Sequence, residues 1–449
     1  MPAVLHLKPE EIDTNEKRGK YTVSVIGCEE KGVLYAVAFA EAGFKVICTD
    51  ADQTLVKRLA KGKTMLSDRE IESKLKILLR KGQISVTSEL KSAVSQSDII
   101  VMTLTAKIDG KKNPDYSTVE NGCKQVGTAL SRGTLFIYGG IAGLGFTEGV
   151  VKETLENTSG LRVGEDFGLV YNPVQVFDGQ LLASIADQEL KVAAMDGTSL
   201  DAAVKVLGVI TRKGVKQVSD VKTAEAALLF TIVKQDANLA LANELAVFCE
   251  NAGIDYFEAL KLVDMHETSF SPTVEAEEGK INEVYLLLES AENLNAKLRL
   301  SMLARKINED TVRHAINLTK DALRSCGKTL RRARVAVLGV ANPETTTTIF
   351  VKMLEKRGAK VSLYDPLLSK TDLSNVARVK RSLKEAVEGT DCIVMLTEQD
   401  RFKRLNLKKL RALMRMPAAI VDLTGAIERK KVEHSGFKYS GLGRGVEKK

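Results

Sequence analysis

Val23-Ser24-Val25-Ile26-Gly27, then Cys28-Glu29-Glu30-Lys31-Gly32, then Val33–Gly43, and finally Phe44-Lys45-Val46-Ile47-Cys48-Thr49-Asp50 form the stretch whose reading decides the fold. A β-branched apolar run enters a glycine, and a second glycine follows five positions on. An alanine-rich segment of helical period comes next, and a second apolar run closes on an acid. That order spells a βαβ unit of the dinucleotide-binding kind. In such a unit Gly27 makes the tight turn and Gly32 lets helix pack on strand, while Asp50, 18 positions past Gly32, takes the ribose hydroxyls. The middle of the loop departs from this plan, because G-x-G-x-x-G has its second glycine where this chain has Glu29. That glycine lets backbone approach a pyrophosphate, and a carboxylate in its place adds both bulk and like charge.

Working outward, strands alternate with helices over most of the first 200 residues, which predicts a doubly wound parallel sheet. Helices are expected from about Gln53, over Asp68–Lys81, Glu89–Ser95, Ser117–Leu130 and Glu148–Asn157. Strands are expected at Ile84–Thr87, Asp98–Thr105, Gly133–Tyr138 and Leu169–Pro173. From Ala224 to Asn251 the sequence turns apolar almost all round, predicting a helix about 40 Å long. Such a helix needs several neighbours, as a dimer interface or as the axis of a helical domain. Helices over Tyr256–Val263 and Asn282–Cys326 follow, and a second βαβ unit begins at Arg334-Val335-Ala336-Val337-Leu338-Gly339. The fold class is α/β, with two Rossmann-like doubly wound parallel-sheet domains joined by a central helical segment. The expected division is 1–20 as an N-terminal extension, loosely held, 21–200 as a Rossmann-like domain of the dinucleotide-binding type, 201–325 as the helical domain, and 326–449 as the second Rossmann-like domain.

Composition sets bounds on function. A hydrophobic share of 44% with 28% charged residues is that of a globular protein, and no apolar run approaches the roughly 20 residues that span a bilayer. Residues 1–20 are polar and lack the apolar core of a signal peptide, so a cytoplasmic chain with no membrane partner is expected. Six scattered cysteines without a C-x-x-C pair indicate neither a disulfide framework nor a metal site. A net charge of +8 without an aromatic platform argues against nucleic acid and suits an anionic small ligand. His266 beside Glu267 and His314 among Val312, Ile316 and Leu318 read as surface or helix-face residues, and Glu277-Glu278 as solvated loop charge.

Several phrases, in this order and at these separations, resemble the UDP-glucose/GDP-mannose dehydrogenase family, in the branch that includes UDP-N-acetylmannosamine dehydrogenase. They are Ala36–Val46, Asp166-Phe167 before Tyr171-Asn172-Pro173, Asn243-Glu244-Leu245-Ala246, Cys249-Glu250, and Gly253-Ile254-Asp255. Further on come Arg305-Lys306-Ile307-Asn308-Glu309, Thr397-Glu398 with Asp400 and Phe402, and Tyr439–Gly445. The resemblance covers about residues 21–445. It implies an NAD-binding first domain, subunit contacts on the central helix and a second domain closing over a nucleotide sugar. It also implies oxidation of the sugar's C6 alcohol to a carboxylate in two hydride transfers through a cysteine-bound intermediate.

Carried over residue by residue, that chemistry is missing. The cysteine position falls at Gly279, and no cysteine occurs between Cys249 and Cys326, so a thiohemiacetal cannot form there. The family lysine and asparagine positions are Leu228 and Ile232, which leaves no donor for an oxyanion. The family glutamate is Val174, and only the acid four residues on remains, as Asp178. Thr105 matches a cofactor-contacting threonine, with Thr103 and Ala106 in place of the prolines around it. The nicotinamide loop reads Gly140-Ile141-Ala142-Gly143-Leu144-Gly145, the second domain's phosphate loop Val340–Glu344, and its Asp-Gly-Arg is Asp422-Leu423-Thr424.

The resemblance thus implies a nucleotide-sugar 6-dehydrogenase homologue with degenerate catalytic positions. NAD is bound weakly or not at all through Gly27, Gly32, Asp50 and Thr105. A nucleotide sugar is the expected small ligand, and the chain pairs as a homodimer or as a heterodimer with an active paralogue. The alternatives are an oxidoreductase that keeps NAD(P) and performs a single hydride transfer with other residues, and a scaffold with empty clefts.

Overall fold

The computed structural model describes residues 4–64, 68–174, 183–263, 271–274, 282–339, 346–366, 379–397 and 399–445. The chain divides into two compact units, Met1–Thr231 with Tyr285–Ala296, and Ile232–Val284 with Lys297–Lys449.

The first unit is built on β1 (Thr22–Ile26), β2 (Lys45–Thr49), β3 (Ile84–Thr87), β4 (Ile99–Met102), β7 (Leu135–Tyr138), β8 (Gly168–Tyr171), β9 (Leu190–Ala194) and β10 (Val215–Gln217); β5 (Lys107–Ile108) and β6 (Pro114–Asp115) form a separate hairpin. The main sheet runs in the order β10-β9-β8-β7-β4-β1-β2-β3. All its pairings are parallel except that of β9 with β8. Every residue of β4, β7 and β8 is buried, as a parallel sheet covered on both faces requires. Helix Glu30–Glu41 lays Val33, Leu34, Val37, Phe39 and Ala40 on the sheet, in one core with Val23, Val25, Val46 and Val101.

The second unit carries β11 (Arg334–Leu338), β12 (Lys360–Tyr364), β13 (Cys392–Met395), β14 (Ala419–Asp422) and β15 (Lys438–Gly441), all parallel, in the order β12-β11-β13-β14-β15. Both sheets are doubly wound. The order reverses between β1 and β4 in one and between β11 and β13 in the other, and ligand crevices form at such reversals. The two Rossmann-like sheets expected from the repeated βαβ pattern are both present.

Several expectations are corrected. The extension before Tyr21 is docked rather than loose: Val4, Leu5, Leu7 and Ile12 are buried in the first core, and the Val4 amide donates to the Gly133 carbonyl. Four apolar side chains within nine residues have more to gain from the core than from water. The helix expected over Asn282–Cys326 is two, Val284–Asn293 and Arg299–Ser325. Asn295 between them adopts a left-handed φ of 54°, and the Ala296 amide reaches back to the Ala291 carbonyl, which ends the first helix without glycine or proline. The helix expected from Glu148 begins as a π-helical turn, Thr147–Lys152, before Glu153–Ser159. Strands β9 and β10 and the helix between them, Gly197–Gly208, add to the elements expected from the sequence.

Val221–Ala252 is a single helix of 32 residues. It is apolar on more than one face, as expected, and Leu241, Leu245 and Phe248 are 40–62% exposed in the single chain. Among the described residues no helix is long and apolar enough to cross a membrane.

Candidate functional site

The turn after β1 is held by close approach. Gly27 has a φ of 84°, and a side-chain carbon on Gly32 would lie 1.9 Å from the Gly27 carbonyl oxygen. Both expected glycine roles are therefore met in the geometry. Asp50 folds onto the same turn. One carboxylate oxygen accepts from the Cys28 amide at 2.8 Å and the other from the Asp52 amide at 2.9 Å. Each oxygen keeps one lone pair for a ribose hydroxyl. Glu29 is the residue before helix Glu30–Glu41; it is exposed and its side chain does not cap the helix.

Across the reversal, the Thr103 hydroxyl donates to the Gly27 carbonyl at 2.5 Å and so joins the two loops. Thr105 lies two residues on, half-buried, and its hydroxyl accepts from the Ile141 amide at 3.3 Å while the Ala106 amide donates to the Ile141 carbonyl. Gly27, Gly32 and Asp50 thus share one turn, and Thr105 belongs to the neighbouring loop that leads to Gly140–Gly145.

That loop is tied to the protein's own groups. The Leu144 amide donates to the Ser290 hydroxyl at 3.1 Å, and the Glu225 carboxylate accepts from the Gly145 amide at 2.5 Å and the Thr147 amide at 2.9 Å. Glu225 is nearly inaccessible, and burial pushes its carboxyl up against the stabilising effect of these donors. Tyr116 stacks on Phe146 and donates to Glu289 at 2.5 Å; burial first, then that carboxylate, raises its hydroxyl. The loop-joining role of Thr103, and Glu225, Ser290 and the Tyr116–Glu289 pair altogether, have no counterpart in the sequence reading. Glu225 alone carried a signal, as a lone acid at the head of an apolar helix.

Three of the positions matched to catalytic residues, Leu228, Ile232 and Val174, are apolar and enclosed. Leu228 is 5%, Ile232 4% and Val174 1% exposed, and Val174 belongs to the first unit's core. Gly279, Asp178, His266, Glu277-Glu278 and Val340–Glu344 lie outside the described residues. His314 is half-buried, with its Nε2 2.8 Å from Glu250. All six cysteines are buried, and burial or a neighbouring thiol pushes the thiols of Cys28, Cys123, Cys249, Cys326 and Cys392 up.

In the second unit Asp422 is fully buried and spends its carboxylate on its own turn, accepting from the Thr424 amide and hydroxyl and the Ile427 amide. Asp365 ends β12 and is bonded by the Gln399 side-chain amide at 3.1 Å.

Two doubly wound sheets with a glycine turn and a strand-end acid define a dinucleotide-binding type of α/β protein. Residues 21–206 match the NAD binding domain, and residues 343–429 the UDP binding domain, of the UDP-glucose/GDP-mannose dehydrogenase family. The chain belongs to that family. It is 28% identical to a UDP-N-acetyl-D-mannosamine dehydrogenase of Pyrococcus horikoshii, over 94% of this chain and 99% of that one. It is 23% identical to a UDP-glucose 6-dehydrogenase of Rhizobium meliloti, over 94% and 99%. Among solved structures, a UDP-D-ManNAc dehydrogenase from Pyrococcus horikoshii superposes with a TM-score of 0.82 at 26% identity, covering 94% of this chain and 99% of the other.

Measured against this turn, NAD fits in part. The ribose acceptor and both packing glycines are present, but Glu29 and Glu30 bring two carboxylates to the helix N-terminus where a pyrophosphate would sit. Calorimetric titration is expected to give no NAD binding tighter than about millimolar. Glu29→Gly is expected to tighten it about tenfold or more; micromolar binding by the unaltered chain would count against cofactor loss.

Proposed function

We propose that this chain is a catalytically degenerate nucleotide-sugar 6-dehydrogenase homologue. It binds a nucleotide sugar of the UDP type and works as a binding or partner subunit rather than by oxidising the C6 alcohol. The observation that carries this reading is the burial of Leu228, Ile232 and Val174 where the reaction calls for lysine, asparagine and glutamate. A side chain without a charge or donor cannot steady an oxyanion, and its burial in apolar surroundings leaves no room for water to substitute. The cysteines support the same reading, because each is buried and the thiols of Cys28, Cys123, Cys249, Cys326 and Cys392 are pushed up, the opposite of an activated nucleophile.

Leu241, Leu245 and Phe248 stand four and three residues apart on the long helix and share one exposed apolar face. This supports pairing through that helix, with a second copy or with an active relative. The second reading, an oxidoreductase that keeps NAD(P), rests on the retained Gly27–Gly32 turn and on the spare lone pairs of Asp50.

A thermal-shift screen with NAD, NADP, UDP sugars and GDP sugars tests both readings, with absorbance at the NADH band recorded in parallel. A UDP sugar is expected to raise the melting temperature, as a ligand at 100 times its dissociation constant adds about 2.7 kcal/mol, and no NADH is expected to form. NADH formation from any such sugar sinks the first reading.

A further inference from the structure

In the second unit, a cavity of about 530 Å³ opens between the end of helix Arg299–Ser325 and the loops that feed β11 and β12. Lys320, Arg324, Lys328, Arg331 and Arg357 line it, together with Leu330, and no carboxylate takes part. Lys328 is engaged, since its ammonium meets Asp391 at 2.8 Å and the Arg415 carbonyl. Lys320, Arg324, Arg331 and Arg357 have no carboxylate partner among the described residues.

The arrangement is built by the backbone. Gly358 adopts a φ of 90° that ends helix Thr346–Lys356, and its carbonyl accepts from the Arg332 amide at 2.7 Å. A side-chain carbon on Gly358 would stand 3.1 Å from Cγ of Arg331. The turn therefore sets Arg357 beside Arg331, while Arg332 between them and the strand takes a left-handed φ of 70°. Arg324, in the last turn of its helix, has an ordinary reason to be there, as a cation meeting the negative end of the helix dipole. Arg331 and Arg357 come from two other elements and have no such reason. Like charges gathered without a counter-ion repel one another, and a bound anion removes that repulsion.

We propose that this cavity binds a phosphate-bearing small molecule of nucleotide size, held by Lys320, Arg324, Arg331 and Arg357. Guanidinium forks match phosphate oxygens two at a time, and the volume is in the range of small-ligand sites. The cavity lies at the amino ends of β11 and β12, the edge opposite the crevice between β11 and β13. It is thus a second ligand site, separate from the one the family reading assigns, and it stands if that reading falls.

Titration of the full chain with inorganic pyrophosphate and with ATP tests the proposal, in the unaltered protein, in the double variant Arg331→Gln/Arg357→Gln and in the control Arg80→Gln. Pyrophosphate is expected to bind, to weaken as salt is raised, and to lose about tenfold or more in affinity in the double variant only. Tighter binding of ATP than of pyrophosphate assigns the cavity to a nucleotide, and equal binding to a phosphate group alone. All four cations are exposed, so the variants are expected to melt with the parent. Absence of binding at millimolar pyrophosphate, or equal affinity in the parent and the double variant, overturns the proposal.

Discussion

Asp236→Ala is expected to destabilise the second unit by about 3–5 kcal/mol. Asp236 and Arg305 are both buried; Arg305 Nε lies 2.8 Å and its terminal nitrogen 2.6 Å from the two carboxylate oxygens. Asn308 donates to the same carboxylate at 2.9 Å and is itself bonded by Asn243, whose carbonyl oxygen accepts from the Thr273 amide. Removing the carboxylate takes a bidentate counter-charge from a buried guanidinium and loosens the bonds that reach Thr273. Replacing both partners, as Asp236→Leu with Arg305→Met, is expected to be near neutral, because the pair is itself costly to desolvate. Its own electrostatics point the same way: burial raises the Asp236 carboxyl, and Arg305 and Asn308 only oppose that rise. Arg305→Met alone lifts the carboxyl further. An acid whose folded pKa exceeds its unfolded value contributes most at low pH and loses that contribution as pH rises through the folded value. Denaturant melts of Arg305→Met should therefore recover stability as pH is lowered through the raised value of the Asp236 carboxyl toward the ordinary carboxylate range. A single variant no less stable than the double one would dismiss the network as inert.

Gly32→Ala is the second large effect. The added carbon would stand 1.9 Å from the Gly27 carbonyl oxygen and 2.9 Å from its carbon, both backbone, so relief requires helix Glu30–Glu41 to lift from β1. That helix holds eight buried residues, and overpacking against backbone falls at the upper end of about 1–3 kcal/mol or beyond it. The first unit's melting transition should fall by about 6–12 °C in scanning calorimetry. Gly149→Ala, where an added carbon meets nothing within 4 Å, is the matching control and should leave the transition in place.

The βαβ units were legible because their information is local. Glycine spacing, apolar runs and helical period all lie within about 30 residues. The helix break at Asn295 was not, because an asparagine in the left-handed region ends a helix only when the carbonyls before it are already satisfied. Strand β9 is short and its antiparallel pairing with β8 depends on the return of a separate segment. The site divides in the same way. Gly27, Gly32 and Asp50 meet because they share one unit, whereas Glu225 reaches Thr147 across 78 residues and Tyr116 reaches Glu289 across 173. No pattern within either stretch encodes those meetings.

The docked segment ahead of β1 bears on how the protein can be handled. The Leu7 carbonyl accepts from the Lys205 ammonium at 2.8 Å, and Val4, Leu5 and Leu7 complete a core whose far side is helix Gly197–Gly208. The family match begins only at residue 21, so a version trimmed to that match would discard these plugs and leave Val206 and Leu207 wetted. Such a version would be sticky for reasons unrelated to its ligands, and affinity handles are better fused at the other terminus.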